Sequence, residues 1–253
     1  MEPYVPESTQ FDPAAANQME KIISDLGRMY QERNEALQEV ARAHHEALFR
    51  LAMAAEYKDD DTGVHIVRLG FLAGALAQFL GQPREYALLI RKAAPMHDIG
   101  KIGIPDSVLK KPGGFTPDER LIMNRHPAIG ASILGKSRIA LFQMAAEIAL
   151  THHERWDGQG YPNRLAGTAI PLSGRIVTIV DFYDALTMDR VYRAALSHEK
   201  ALEMIVAERG KAFDPDIVDC FERHQATIRA LHDRVTAQRL SFADLVDGEM
   251  EFA

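Results

Sequence analysis

The sequence predicts an all-α protein, and three observations carry that prediction. Apolar residues recur at three- and four-residue spacing through most of the 253 residues. Gly and Pro punctuate the chain into segments of helical rather than strand length. The one stretch rich in Ile and Val, "SGRIVTIVDFYDALTMDR", finds no partner strand elsewhere and carries Asp181 and Asp184 at i, i+3, so it reads as a buried helix.

Residues 1–16 are expected to be a flexible tail, with three prolines in the first 13 positions and little periodicity. Residues 17–55 contain no Pro. Met19, Ile22, Leu26 and Met29, then Leu37, Val40, His44, Ala47 and Leu51, form a stripe with a slip near Arg33. This is a long amphipathic helix. Its stripe serves equally for a two-stranded coiled coil, and hence a homodimer, or for packing back on its own domain. Residues 56–224 form the main domain. "TGVHIVRLGFLAGALAQFLG" puts His65, Leu69, Leu72, Leu76 and Phe79 on one face, and "REYALLIRKAAPMHDIG" does so for Tyr86, Leu89, Ala93 and His97, with Gly100 as the stop. "TPDERLIMNRH" opens on a capping box of Thr116 and Glu119 with Pro117 at the first helical position. "ALFQMAAEIALTHH" aligns Ala145, Ile148 and His152. "SHEKALEMIVAERG" and "DPDIVDCFERHQATIRALHDRVTAQRL" are further helices, the latter running into a helical extension over 225–253.

Composition excludes several classes of function. A net charge of −7 argues against nucleic acid polymers and acidic membranes, which need a basic surface. The single Cys220 rules out a disulfide framework and a thiolate cluster, and reads as a small apolar filler. No apolar run approaches the roughly 20 residues of a membrane span, and the N-terminus lacks the basic and apolar regions of a signal peptide. A cytoplasmic location is expected.

The informative residues are histidines on apolar faces. His65, His97 and His152 each fall on a stripe assigned to the interior, and each lies near an acid or another histidine. Unpaired buried polar groups cost about 1–3 kcal/mol each, so several together call for a common partner, and a metal ion is one. The candidate donors are Asp61, His65, His97, Asp98, His126, His152, His153 and Asp181, all imidazole or carboxylate. That chemistry suits Fe, Mn or Zn in a hydrolytic centre. The set is too large for one ion, and adjacent helical residues point about 100° apart, so His152 and His153 would serve two ions or an ion and a phosphate. A carboxylate such as Asp98 could bridge. Two ions clamp the attacking and leaving oxygens of an in-line displacement at phosphorus. The residues alone thus reach a polynuclear metal phosphohydrolase, without a substrate.

"HDIGKIGIPDSVLKKPG" followed by "HHERWDGQGYP" closely resembles the HD-GYP domain, a branch of the HD metal-dependent phosphohydrolases. The likeness runs from about Glu56 to Arg223 and includes "DDTGVHIVR", "RHPAIGASIL" and "GKAFDPDIVDCF". The resemblance implies an HD-type fold of about seven core helices, preceded here by the long helix. It also implies a catalytic domain over 56–224 with two or three divalent metals, Fe foremost and Mn or another transition metal next. The implied reaction is hydrolysis of cyclic di-GMP, to pGpG and on to GMP, by in-line attack of a metal-bound hydroxide. Carried over by motif, the metal ligands are His65, His97, Asp98, His126, His152, His153 and Asp181, with Asp98 as bridge. Lys101 stands beside the scissile phosphate as a catalytic proton donor, Tyr161 contacts the substrate, and Arg190 and Arg193 grip its other phosphate. The residue four before His65 is often Glu in members resembling trimetallic forms. Here it is Asp61, one methylene shorter, so a third-metal ligand and a helix-capping acid both stay open; the same holds for Asp59. Asp184 is expected to orient Arg190. The alternatives are an HD hydrolase of another nucleotide phosphoester, or a cyclic di-GMP-binding signalling module with little turnover. A signalling protein partner would act through the helix at 17–55.

Overall fold

The computed structural model describes residues 13–58, 63–189, 194–238, 240 and 242–247. Asp59, Asp61, Arg190 and Arg193 lie outside them. The chain divides into two compact units, Met1–His45 and Glu46–Ala253. Among the described residues there is no strand, only an isolated bridge between Arg209 and Phe213.

Helix α1 runs Pro13–Lys58. In the first unit its apolar residues Met19, Ile22, Leu26, Met29, Leu37 and Val40 are all exposed. In the second unit it buries Leu48, Phe49, Ala52, Ala55 and Glu56. Then come α2 (Val64–Phe79), α3 (Arg84–Ala93), two 3₁₀ turns (Ala94–Met96 and Ile99–Gly103), α4 (Asp106–Leu109), α5 (Pro117–Met123), α6 (His126–Leu134), α7 (Ala140–Thr151), α8 (Leu172–Thr187), α9 (His198–Ala207), α10 (Pro215–Arg223), α11 (Gln225–Gln238) and α12 (Phe242–Asp247).

The centre of the second unit is α2, whose residues from His65 to Ala77 are all buried. It packs on α3, α8 and α11, and α7 packs on α3, α6 and α8. Leu69, Leu72, Leu76, Ile90, Ile148, Ile176, Ile179 and Val180 fill the space between them. Full burial of such side chains stabilises by roughly 1.5–3 kcal/mol each. The Ile/Val-rich segment is the helix α8, buried on most of its circumference. The Thr116 capping box is present, with Thr116 Oγ1 accepting from Glu119 N at 3.3 Å and Glu119 Oε2 accepting from Thr116 N at 2.7 Å. Cys220 is a buried filler.

Two helices break where periodicity alone runs on. The stripe through His97 does not stay α-helical: α3 ends at Ala93 and the chain tightens into 3₁₀ turns that begin at Ala94–Pro95. Proline has no N–H to donate to the carbonyl four residues back. The second break, at His224, separates α10 from α11. The 3₁₀ turn at Ile99–Gly103 lies against α6 at backbone distance: a Cβ on Gly100 would run into the carbonyl of His126 and stand 2.5 Å from Gly130 N. Lys58, the last described residue of α1, donates from Nζ to the carbonyls of Ile102 at 2.9 Å and Ile104 at 2.7 Å, tying the end of that turn.

Candidate metal centre

Five elements deliver imidazoles and carboxylates to one place. α2 contributes His65, the turn after α3 contributes His97 and Asp98, α6 begins with His126, the turn that closes α7 carries His152 and His153, and α8 contributes Asp181. The donors fall into two groups, each with its atoms within 4.8 Å of one another: Asp98, His126, His152 and His153, then His65, His97 and Asp181.

Asp98 stands between the groups. Its Oδ1 lies 3.1 Å from His126 Nε2 and 3.4 Å from His152 Nε2. Its Oδ2 lies 3.3 Å from His97 Nε2 and 2.8 Å from Lys101 Nζ. In the second group Asp181 Oδ1 is 3.5 Å from His65 Nε2 and 3.8 Å from His97 Nε2.

The ring orientations follow from what the other nitrogens do. His126 Nδ1 donates to Met123 O at 2.8 Å, His97 Nδ1 to Ala94 O at 3.2 Å, and His152 Nδ1 to Ile148 O and Ala149 O at 3.1 Å each. With Nδ1 carrying the proton, Nε2 presents a lone pair inward. His126 Nε2 and His152 Nε2 then face each other at 3.5 Å, and His97 Nε2 and Asp98 Oδ1 are buried without a hydrogen bond. Lone pairs turned on one another repel unless a cation sits among them. Donors on a common ion at about 2.1 Å stand about 3.0–3.4 Å apart, close to the separations here. Clustered imidazole and carboxylate donors of this kind fit divalent metal.

His65 is held differently. Its Nδ1 pairs with Asp184 Oδ2 at 2.6 Å, and Asp184 in turn takes Arg68 through Nε at 2.5 Å and Nη2 at 2.8 Å. A carboxylate behind a ligating imidazole fixes the ring and raises its basicity. Asp184 is therefore occupied by His65 and Arg68, where the sequence suggested Arg190, which lies outside the described residues. Burial opposes charge on His65, but the hydrogen bond and charge of Asp184, with Asp181 and Glu56, push it up to about 9. Burial likewise opposes ionisation of Asp98, yet Lys101, His97 and the His126 and His152 contacts hold it well below the usual carboxylate range. Burial, with His152 beside it, holds His153 well below an ordinary imidazole.

The glycine loop after α7 returns Tyr161 over the site. Its ring stacks on His153 with centroids 4.7 Å apart, and Tyr161 N donates to His153 O at 3.2 Å. Burial raises the phenol's pKa, so it stays protonated. Glu154, 1% exposed, anchors the return strand of the loop by accepting from Asn163 N at 2.7 Å and Leu165 N at 3.0 Å. Trp156 packs beside Arg175. Gly160 is required by space: a Cβ there would lie 2.6 Å from Glu154 Cα and from His153 O, and closer still to Arg155 N. Gly160→Ala is expected to cost about 1–3 kcal/mol by overpacking and to shift His153, read as a lower denaturant midpoint and weaker metal retention. An unchanged midpoint would show that the loop yields freely.

Three buried acids escaped the sequence reading or received another role there: Glu56, Glu154 and Asp184. Glu56 is 4% exposed, and burial raises its pKa against the pull of His65. It ends the stripe Phe49, Ala52, Glu56, so an acid on a buried face was the available signal.

The fold and these donors define a helical His/Asp metal centre. The chain belongs to the HD domain family, whose sequence profile matches residues 17–217. Among curated proteins it is 46% identical, over 196 residues, to the cyclic di-GMP phosphodiesterase response regulator RpfG of Xanthomonas campestris pv. campestris (strain 8004), covering 78% of this chain and 52% of that protein. It is 43% identical to the 3'3'-cGAMP-specific phosphodiesterase 2 of Vibrio cholerae serotype O1, covering 71% of this chain and 34% of that one. The chain thus spans about half the first relative's length, and less of the second. A crystal structure of a cyclic GMP-AMP specific phosphodiesterase from V. cholerae shares the fold, with a TM-score of 0.52 at 20% identity over 80% of this chain and 57% of that one. No described helix is long and apolar enough to cross a membrane.

Proposed function

We propose that the chain is a metal-dependent phosphodiesterase acting on cyclic di-GMP, giving pGpG and then GMP, with residues 56–224 as its catalytic domain. The observation that carries this reading is the pair of donor groups divided by Asp98, with Lys101 and Tyr161 at its edge. The ligands would be His65, His97, Asp98, His126, His152, His153 and Asp181, Asp98 bridging two ions, iron foremost and manganese next. Asp61 would serve any third. Bound divalent ions would supply Lewis-acid polarisation of the phosphoryl group and activation of water.

The chain's own residues do the rest. The main-chain carbonyls behind His97, His126 and His152, and Asp184 behind His65, hold the imidazoles in one tautomer and orientation. Lys101 Nζ, 2.8 Å from Asp98 Oδ2, holds a proton that it would pass to the departing 3′ oxygen. Tyr161 keeps its phenolic proton and would donate to a phosphate oxygen or the sugar. Arg190 and Arg193 would take the second phosphate. The exposed stripe Met19, Ile22, Leu26, Met29 supports a homodimer through α1 or docking of a signalling partner.

The identity to a cGAMP-specific relative favours one second reading, in which the cyclic dinucleotide is mixed. The test is hydrolysis of both dinucleotides by protein purified without oxygen, with metals counted per chain. Cyclic di-GMP is expected to be cleaved faster. Chelation should abolish turnover, and Fe²⁺ or Mn²⁺ should restore it. Preference for cyclic GMP-AMP would establish the second reading, and retained metal without cleavage of either would make the chain a binding module.

A further inference from the structure

Away from this centre, α9 and α11 meet at a second group of metal-ligating side chains. His198 is the first residue of α9, and His232 and Asp233 are neighbours on α11. One oxygen, Asp233 Oδ1, lies 3.2 Å from His198 Nε2 and 3.1 Å from His232 Nδ1, and the three donor atoms are all within 4.8 Å of one another. The imidazoles cross edge-on, with centroids 5.0 Å apart.

The far nitrogens are held as ligating imidazoles are held. His198 Nδ1 pairs with the Tyr183 hydroxyl at 2.6 Å, and His232 Nε2 with Thr187 Oγ1 at 3.2 Å. Thr187 Oγ1 also reaches the carbonyls of Tyr183 at 3.0 Å and Asp184 at 3.3 Å, and in the tautomer where its hydroxyl proton goes to one of these, its oxygen accepts from His232 Nε2. Burial lowers the pKa of His232, which favours the neutral ring. The neutral ring then turns a bare Nδ1 lone pair onto a carboxylate oxygen. A proton or a cation on Nδ1 satisfies this contact, and a cation there would also be within reach of His198 Nε2, which faces the same oxygen. The other carboxylate oxygen, Oδ2, faces Arg229 Nε at 3.9 Å, and Arg229 is drawn off by Glu199 Oε1 at 2.6 Å, leaving Oδ1 to the histidines.

The site opens to solvent. Asp233 is exposed and lines a cleft of about 470 Å³ whose wall includes His198, Glu199 and Gln225. Two imidazoles, one carboxylate oxygen and an open side suit a single borderline divalent ion, with zinc ahead of magnesium or calcium, which want oxygen alone.

We propose that His198, His232 and Asp233 form a second site for one zinc-class divalent ion, separate from the centre around Asp98, which ties the start of α9 to α11. An ion that binds only the folded chain also stabilises it. The experiment loads the full chain, Asp233→Ala and His198→Ala with excess Zn²⁺, removes free ion by gel filtration and counts zinc per chain. Each variant is expected to hold one zinc fewer than the wild type and to lose part of the zinc-dependent rise in melting temperature. Asp233 is exposed, so its replacement leaves the fold intact, which the melting temperature without zinc will verify. Equal zinc counts in all three proteins, or a loss in only one variant, would overturn the site.

Discussion

Asp98→Ala is expected to abolish stable metal retention and to lower turnover at least about 10³-fold, beyond the effect of removing one preorganised polar group. The size follows from position. Oδ1 faces His126 and His152 while Oδ2 faces His97 and Lys101, so one substitution removes the only carboxylate of the first group, its contact with His97 of the second, and the partner of Lys101 Nζ at 2.8 Å. Metal analysis and cyclic dinucleotide hydrolysis on the same sample read both effects. Turnover that survives the substitution would place the chemistry elsewhere. A circular dichroism spectrum matching the wild type's checks that the loss is not one of folding.

The second large effect falls on Asp184. Asp184 and Arg68 are both fully buried, and Arg68 donates to the carboxylate from Nε and Nη2. Removing one partner of such a pair leaves an uncompensated buried charge, which costs about 3–5 kcal/mol. Asp184→Asn should therefore lower the melting temperature by roughly 6–20 °C, at about 2–4 °C per kcal/mol for a domain of this size. It should also weaken metal binding by about 10–100-fold through His65. The double change Arg68→Met with Asp184→Leu separates the two roles: it should recover much of the stability and none of the metal affinity. Recovery of both would make Asp184 purely structural. Burial opposes the charge of Asp184, but Arg68 and His65 hold its pKa far below the usual value. The contribution of the pair is thus fully present above the unfolded carboxylate pKa, near about 4, and is lost as pH falls through the folded value.

Much of this was legible in the sequence. The helix at "SGRIVTIVDFYDALTMDR", the capping box at Thr116 and the inward faces of His65 and His152 follow from spacing within single elements, which is all that periodicity can see. His97 was placed inside correctly but on the wrong kind of helix, because the apolar stripe continues through Pro95 while the backbone tightens. The break at His224 carries no Gly or Pro to announce it. What the sequence could not show were pairings between distant elements. Asp184 with Arg68, and Glu154 with the amides of Asn163 and Leu165, depend on which helices and loops become neighbours. Each of these acids looks like an ordinary surface carboxylate until the fold removes its water.

The span of the centre along the chain sets an order of assembly. His65 and its carboxylate, Asp184, are 119 positions apart, whereas Asp98, His126, His152 and His153 sit close in sequence. Closing the longer loop costs more chain entropy, growing as about (3/2)RT ln n. The donors around Asp98 can therefore gather early, and the His65 side completes only when α8 docks on α2. A nascent chain that has not yet emitted α8 would offer an ion half a cradle, with ejection cheap and capture provisional, and final commitment to the metal would wait on the docking of α8.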